Sequence, residues 1–257
     1  MVKYCVVWRK RGTTLFVVLL LFSCSCRHDA IKKQHEIAIA VPYEIDTLDP
    51  HARNSLSTFA LLSHFYEPLV TTDADMKIQP CLAVSWENPD LLTWIFYLRS
   101  HVKFHNGKIL DSGDVVYSYQ RLLNSQKLEI AGYLLDIAEV TAQGPLVVRI
   151  RTKHPMNVLL NKLRFVQIVP RNADAETMSK KVDGTGPYSL LQWSDKSVIQ
   201  MVRNAGYWGK KPFFEHVLFR LNQNSDQAIQ SLLSGQSQLV QCNSKKNRRN
   251  WCRHKEN

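Results

Sequence analysis

The sequence predicts an α/β fold with mixed sheets, on three observations. Short segments that alternate apolar with polar residues recur between Glu36 and Val240, single helical segments interrupt them, and no stretch repeats at a fixed period. Of the 257 residues, 45% are hydrophobic and 21% charged, enough to bury a core and too apolar for disorder. No apolar run approaches the roughly 18 to 20 residues that cross a bilayer as a helix, which excludes a polytopic membrane protein.

The elements follow in order. Glu36 to Pro42 sets Ile37, Ile39 and Val41 on one face of a strand, and Asp46, Asp49 and Pro50 then make a loop. A helix starts near Leu56, with Leu61, Leu62, Phe65 and Tyr66 as its apolar face and Pro68 beyond its end. Thr93 to Leu98 and Val102 to Phe104 read as strands, the second entering an Asn106-Gly107 turn. Asp111 is suited to cap a helix that carries Val115, Val116, Tyr119, Leu122 and Leu123 at helical spacing. Asp136 to Thr141 and Leu146 to Thr152 form a hairpin around Gly144-Pro145, and Val158 to Leu163 forms a short helix. Strands return at Tyr188 to Trp193, Val198 to Arg203 and Val217 to Leu221. A helix capped by Ser225 or Asp226 then presents Ala228, Ile229, Leu232 and Leu233 and stops at Gly235, before a last strand from Gln238 to Val240.

The formal charge of +11 sits at the two ends. Lys3, Arg9, Lys10 and Arg11 give the first 23 residues +4, and the last 17 carry six cations against Glu256, which leaves +2 for the rest. A near-neutral body lacks the basic field that phosphate binding needs, so no nucleic-acid partner is expected. Arg9-Lys10-Arg11, the apolar run Leu15 to Phe22 and the small polar stretch Ser23-Cys24-Ser25-Cys26 have the layout of a secretory signal. Leu21-Phe22-Ser23-Cys24 further resembles the lipobox of bacterial lipoproteins, with a bulkier residue at Phe22 than that motif usually has. It nominates Cys24 for lipid attachment, with Cys26 the second choice. Residues 1–23 are thus expected to be a lipoprotein-type signal peptide and 24–35 a linker. At the other end, 241–257 hold one large apolar residue, Trp251, and cannot bury enough to fold alone.

Signals for catalysis are poor. No Gly-x-Ser-x-Gly elbow occurs, and Gly184-Thr185-Gly186 lacks the Lys-Ser/Thr of a phosphate loop. Those glycines are expected to serve the backbone by permitting positive φ before Pro187. His101 and His105 are four apart but flank a strand pattern rather than lie on a helix, and no Cys/His cluster has zinc spacing. We expect no enzyme, no cofactor and no metal site.

An ordered set of short motifs runs through the body. It comprises Ile45-Asp46-Thr47-Leu48-Asp49-Pro50, Tyr66-Glu67-Pro68-Leu69-Val70, Leu82-Ala83 with Ser85-Trp86-Glu87, and Phe96 to Arg99 followed by Val102 to Gly107. Ser112 to Tyr119, Gly184 to Tyr188, and Asn204 with Tyr207-Trp208-Gly209 complete it. In this order, from about residue 36 to 240, the set resembles the family 5 extracellular solute-binding proteins of ABC importers, which include oligopeptide, dipeptide and nickel receptors. The resemblance implies a lobe of a type II periplasmic binding protein, with residues 36–70 and 178–240 as an incomplete lobe I and 71–177 as an inserted subdomain. Lobe II and the return strand have no counterpart, Gln238 stands where the family usually has Asp, and 241–257 reads as a non-family basic tail. The chain is therefore expected to be truncated to the family's N-terminal half, unless a separate chain supplies the other lobe.

The same resemblance implies a lipid-anchored substrate-binding component of a peptide-type ABC importer, periplasmic or otherwise outside the cytoplasm. Its partners would be oligopeptides, held with low affinity, and the permease subunits. The alternative is a surface or periplasmic lipoprotein that keeps the half-fold for interaction. In the oligopeptide branch the loop after Asp49-Pro50 offers main-chain groups to an extended peptide, which places the ligand near Asn54, Ser55 and Leu56, although an ordinary surface loop fits the same residues. A ligand-covering aromatic of that branch aligns near Ile130 or Ala131, and Tyr133 lies close by.

Overall fold

The computed structural model describes residues 35–241, apart from 126, 172, 195, 196 and 222. The expected signal peptide, the linker as far as residue 34 with Cys24 and Cys26, and the tail from 242 onward lie outside the described residues. In chain order the first elements are β1 (Glu36–Ala40), α1 (Leu56–Leu62), β2 (Val70–Thr72), β3 (Ile78–Pro80), β4 (Ala83–Glu87), β5 (Thr93–Leu98) and α2 (Ser112–Leu123). A 3-10 helix (Glu129–Leu134), β6 (Ile137–Gly144), β7 (Val147–Thr152), α3 (Leu159–Leu163) and α4 (Ala175–Lys180) follow. The remainder is β8 (Tyr188–Ser194), β9 (Val198–Arg203), β10 (His216–Arg220), α5 (Ser225–Leu233) and β11 (Leu239–Val240).

These strands form the mixed sheets that the sequence predicts. The largest has the order β11-β1-β10-β9-β8, with β1 parallel to both β10 and β11 and the remaining pairs antiparallel. A second sheet has the order β4-β5-β7-β6, and β2 pairs with β3. Two clusters of buried side chains lie against them. One draws on residues between Leu69 and Ile168; the other joins Val41 to Tyr66 with Val169 to Leu221.

Local chemistry explains the elements that the sequence predicts. At the start of α2 the Asp111 carboxylate accepts the Gly113 N–H at 2.8 Å, and the Asp114 carboxylate accepts the Asp111 N–H at 3.1 Å. Behind that cap Val115, Tyr119 and Leu122 are buried at helical spacing. In β10 and β9 the alternation puts Val217, Phe219, Ile199 and Met201 into the second cluster and Leu218 and Gln200 on the opposite face.

Four local expectations need correction. Val102 to Phe104 is not a strand; it is one arm of a narrow loop held by Leu110 N–H to Val102 C=O and Phe104 N–H to Lys108 C=O, with Gly107 at φ +89°. Only a few residues separate the arms, so pairing stops at one bridge, Lys103 with Ile109. Helix α1 ends at Leu62 rather than running to Tyr66, because the next main-chain groups are taken by the glycine segment: Gly186 N–H donates to Phe65 C=O and Tyr188 N–H to His64 C=O. The cap of α5 is Asn224, not Ser225 or Asp226; its side chain accepts the Gln227 N–H at 2.8 Å while Gln227 returns to the Asn224 N–H at 3.1 Å. Gly184 and Gly186 do not have positive φ; they serve close approach. A Cβ at Gly184 would collide with the Phe65 carbonyl oxygen, and one at Gly186 would lie 2.6 Å from the His64 carbonyl oxygen.

The two clusters meet at one carboxylate. Glu67 is 6% exposed and accepts hydrogen bonds from Thr185 Oγ1 at 2.8 Å, Tyr207 OH at 2.7 Å and Trp208 Nε1 at 2.8 Å. The Arg99 guanidinium lies 4.2 Å over the Trp208 ring. Burial pushes the Glu67 carboxyl up, against the pull of those three donors. Three of the ordered sequence motifs thus converge on a single buried acceptor.

Candidate functional site

The loop after β1 is clamped before it reaches Asn54. Arg121, near the end of α2, holds Asp49 through two bonds of 3.0 and 2.5 Å and donates to His51 Nδ1 at 2.8 Å. A guanidinium can only donate, so Nδ1 is the acceptor and His51 Nε2–H donates to the Gln167 carbonyl at 2.7 Å. Burial, and next the Arg121 charge, lower the His51 pKa to about 4, and the ring is neutral at physiological pH.

From this anchor the chain delivers a cluster of side chains to the surface. Arg53 bridges Asp46 at 2.9 Å and Glu129 at 3.0 Å, and Glu129 also accepts the Asn54 N–H at 2.8 Å. Ser55 caps α1 by accepting the Thr58 N–H at 3.3 Å, and Leu56 stands 80% exposed. The Asn54 side-chain oxygen accepts the Tyr133 hydroxyl at 2.9 Å. The Tyr133 ring stacks on Phe165 at 4.8 Å and 16°, with Phe59 tilted against Phe165 at 5.2 Å. Arg164 lies 4.5 Å over the other ring contact of this row, Phe165.

Arg164 is the unusual member. It ends α3, donates a long bond of 3.3 Å to Thr72 Oγ1, and has no carboxylate partner among the described residues. Its Nε is buried with no hydrogen-bond partner among them. A partly buried cation without an anion beside it favours a negatively charged group arriving from outside. The shelf therefore offers aromatic faces, one amide and an uncompensated guanidinium, which suits non-covalent grip rather than bond making.

Of the three residues nominated from sequence, the structure brings Asn54 into direct contact with the aromatic row, uses the Ser55 side chain as a cap and leaves Leu56 outward. Two main-chain groups here are engaged internally, the Asn54 N–H by Glu129 and the Ser55 C=O by the Phe59 N–H at 2.9 Å. Sequence reasoning missed Phe59, Glu129, Arg164 and Phe165. They come from three separate parts of the chain, and no spacing rule joins those parts; the Arg-Phe pair at the end of a short helix is the one available hint. His105 is a structural group: it accepts the Gly184 N–H through Nδ1 at 3.3 Å and donates from Nε2 to the Gly186 carbonyl at 3.1 Å. Among the described residues no group of three or more His, Cys, Asp or Glu is placed to hold a metal ion, and no helix is long and apolar enough to cross a membrane.

Comparison with known proteins gives the family. Residues 77–247 match the family described as bacterial extracellular solute-binding proteins, family 5 middle. The chain is similar to the nickel-binding periplasmic protein of Escherichia coli (strain K12), with 33% identity over 72% of this chain and 37% of that protein. It is 28% identical to the glutathione-binding protein GsiB of Salmonella paratyphi A over 80% of this chain and 42% of that one. Among solved structures, the binding protein MoaA of A. tumefaciens R10 in complex with mannopinic acid superposes with a TM-score of 0.75 and 27% identity, covering 82% of this chain and 45% of that one. The chain spans less than half the length of these relatives, which are named as binding proteins rather than enzymes. By the extent of the family match and the identity to the nickel-binding protein, the chain belongs to the family 5 bacterial extracellular solute-binding proteins.

Proposed function

We propose that this chain captures a small carboxylate-bearing solute, an oligopeptide in the first place, outside the cytoplasmic membrane for an ABC importer. The observation that carries the reading is the shelf of Tyr133 and Phe165 beside Asn54, edged by a guanidinium that lacks an acid. The ligands of similar proteins support it: glutathione and mannopinic acid carry carboxylates, as do the peptide and the nickel–histidine complex held by two further binding proteins of the same fold. In this reading residues 36–70 and 178–240 form lobe I around the second cluster, and 71–177 are the inserted subdomain around the first. Lipid on Cys24 holds the chain at the membrane, and the partner that accepts the loaded form is the permease. In this reading the half-buried shelf grips one side of a ligand and leaves the other in water, so affinity is low.

Calorimetry on the full chain with the peptide Ser-Thr-Ser-Ala, and separately with nickel–histidine and glutathione, tests the site. Saturable binding of one of them, weakened at least tenfold by Arg164→Gln and by Tyr133→Ala, supports the reading. Binding unaffected by both variants, or no binding by a folded chain, refutes it. The anchor is tested by the intact mass of membrane-extracted chain: acylation lost in Cys24→Ala and kept in Cys26→Ala is expected, and the reverse pattern moves the anchor to Cys26.

A further inference from the structure

We infer that Glu129 limits the grip of this chain to carboxylates of about one to three residues, because its side chain occupies the main-chain donor on which a longer peptide would pair; the inference rests on the reading of the shelf proposed above. A peptide is held either along its length, by hydrogen bonds to exposed main chain, or at one end, by its carboxylate and side chains. Only the first grip strengthens with each added residue. The loop from His51 to Ser55 is the main chain that borders the shelf, where Asn54 meets the Tyr133 hydroxyl. Its groups are already engaged. The His51 N–H donates to the Asp49 carboxylate at 3.0 Å and the Ala52 N–H to the Asp49 carbonyl at 3.3 Å. The His51 and Ala52 carbonyls accept the Ile130 and Glu129 N–H groups at 3.3 and 3.5 Å, so the start of the 3-10 helix lies where an added strand would. The Ser55 carbonyl takes the Phe59 N–H at 2.9 Å. Between them the Asn54 N–H goes to the Glu129 carboxylate at 2.8 Å. That bond is made by a half-exposed side chain, and it is the one that a single substitution opens.

Glu129 is held in place from both sides. Its other oxygen takes Arg53 at 3.0 Å, and Arg53 in turn bridges Asp46 at 2.9 Å. The Asn54 N–H, its strongest influence, keeps the Glu129 carboxyl below the usual carboxylate range, so it is an ionised acceptor at neutral pH. A peptide carbonyl is a weaker acceptor than that carboxylate and has to displace it, so pairing at Asn54 brings no net gain. The grip at one end is what is left. Arg164 lies 4.5 Å and the Tyr133 ring 4.8 Å from the centre of the Phe165 ring, which puts them no more than about 9 Å apart, and an extended chain covers that in about three residues at about 3.3 Å each.

Calorimetry on the full chain tests this with two peptides that share one end, Thr-Ser-Ala and Ser-Thr-Ser-Thr-Ser-Ala. The parent should bind both with affinities within about twofold of each other. Glu129→Ala frees the Asn54 N–H and should bind the hexapeptide about tenfold tighter than the tripeptide, the worth of one or two main-chain hydrogen bonds. Glu129→Gln keeps an acceptor for that N–H while losing the charge, and should behave as the parent does; if it follows Glu129→Ala instead, the role is electrostatic and the inference falls. The hexapeptide N-methylated at its second and third residues gives a measurement that needs no variant. The parent should bind it as it binds the plain hexapeptide, whereas Glu129→Ala should lose its gain. A parent that prefers the hexapeptide tenfold or is weakened tenfold by the methyl groups, while still depending on Arg164, overturns the inference and leaves the shelf reading standing. So does a Glu129→Ala variant that binds both peptides equally. A chain that binds neither peptide refutes the shelf reading and this inference with it.

Discussion

His51 makes stability fall in mild acid, and the size of the effect follows from its surroundings. The ring is fully buried, its Nδ1 faces a guanidinium at 2.8 Å, and its pKa is lowered to about 4 from an ordinary 6.5. Between those two values the unfolded chain binds a proton that the native chain refuses. Stability therefore rises with pH across this window and is lost as pH falls from 6.5 toward 4. A gap of this size corresponds to about 3 kcal/mol at the conversion of 1.36 kcal/mol per unit. His51→Gln is the informative variant: its amide can still donate toward the Gln167 carbonyl and accept from Arg121, but it does not titrate. Urea denaturation of both proteins at intervals from pH 7 to 4 should show the parent losing about 3 kcal/mol more than the variant. Parallel stability curves would refute the assignment of a neutral, buried His51.

Three further outcomes follow from the described contacts. Glu67→Ala strips the acceptor from Thr185, Tyr207 and Trp208 and should cost about 3 to 5 kcal/mol in chemical denaturation; a loss under about 1 kcal/mol would show that the donors find other partners. Gly184→Ala drives a methyl against the Phe65 carbonyl, a backbone atom that cannot swing away, and should cost about 3 kcal/mol in the same assay, whereas Gly132→Ala, with open space around the site, should stay within about 1 kcal/mol. Asp111→Ala removes the α2 cap and should lower stability by about 1 to 2 kcal/mol, with Asp111→Asn recovering most of the loss.

How far the chain is legible depends on what kind of contact a residue makes. The strands β1, β5, β7, β9 and β10 and the helices α2 and α5 could be read because their apolar residues repeat at the period of the element that buries them. The strands β2, β3 and β4 escaped. The first two have only three residues, too few to show a period, and β4 presents Val84 and Ser85 to solvent in succession at a register shift against β5. The motif Gly184-Thr185-Gly186 was visible as a motif, but its reason was not: positive φ is a property of one residue, whereas the actual constraint is the passage of the Phe65 backbone, which sequence does not display. The same holds for the shelf. Asn54 could be nominated from its place in an ordered motif set, while Tyr133, Phe165 and Arg164 meet it only through the fold.

That division explains why membership of the family is plain and the identity of the solute is not. The ordered motifs are places where the chain meets itself: Asp49 takes Arg121, and Glu67 takes Thr185, Tyr207 and Trp208. Such buried, fully paired groups tolerate little substitution, because removing one partner strands the others. The shelf carries no such constraint. Tyr133 and Phe165 are half-buried and meet only Asn54, Phe59, Arg164 and each other in the contacts described above, so under the proposed reading the side chains that grip solute can vary while the clamp behind them stays the same. The two are nonetheless joined, since Asn54 stands only three residues beyond His51 and its N–H is held by Glu129. A protonated His51 would repel Arg121, loosen Asp49 and free the loop that presents Asn54. Solute binding in mild acid should therefore weaken in the parent more than in His51→Gln, by the same linkage that governs stability.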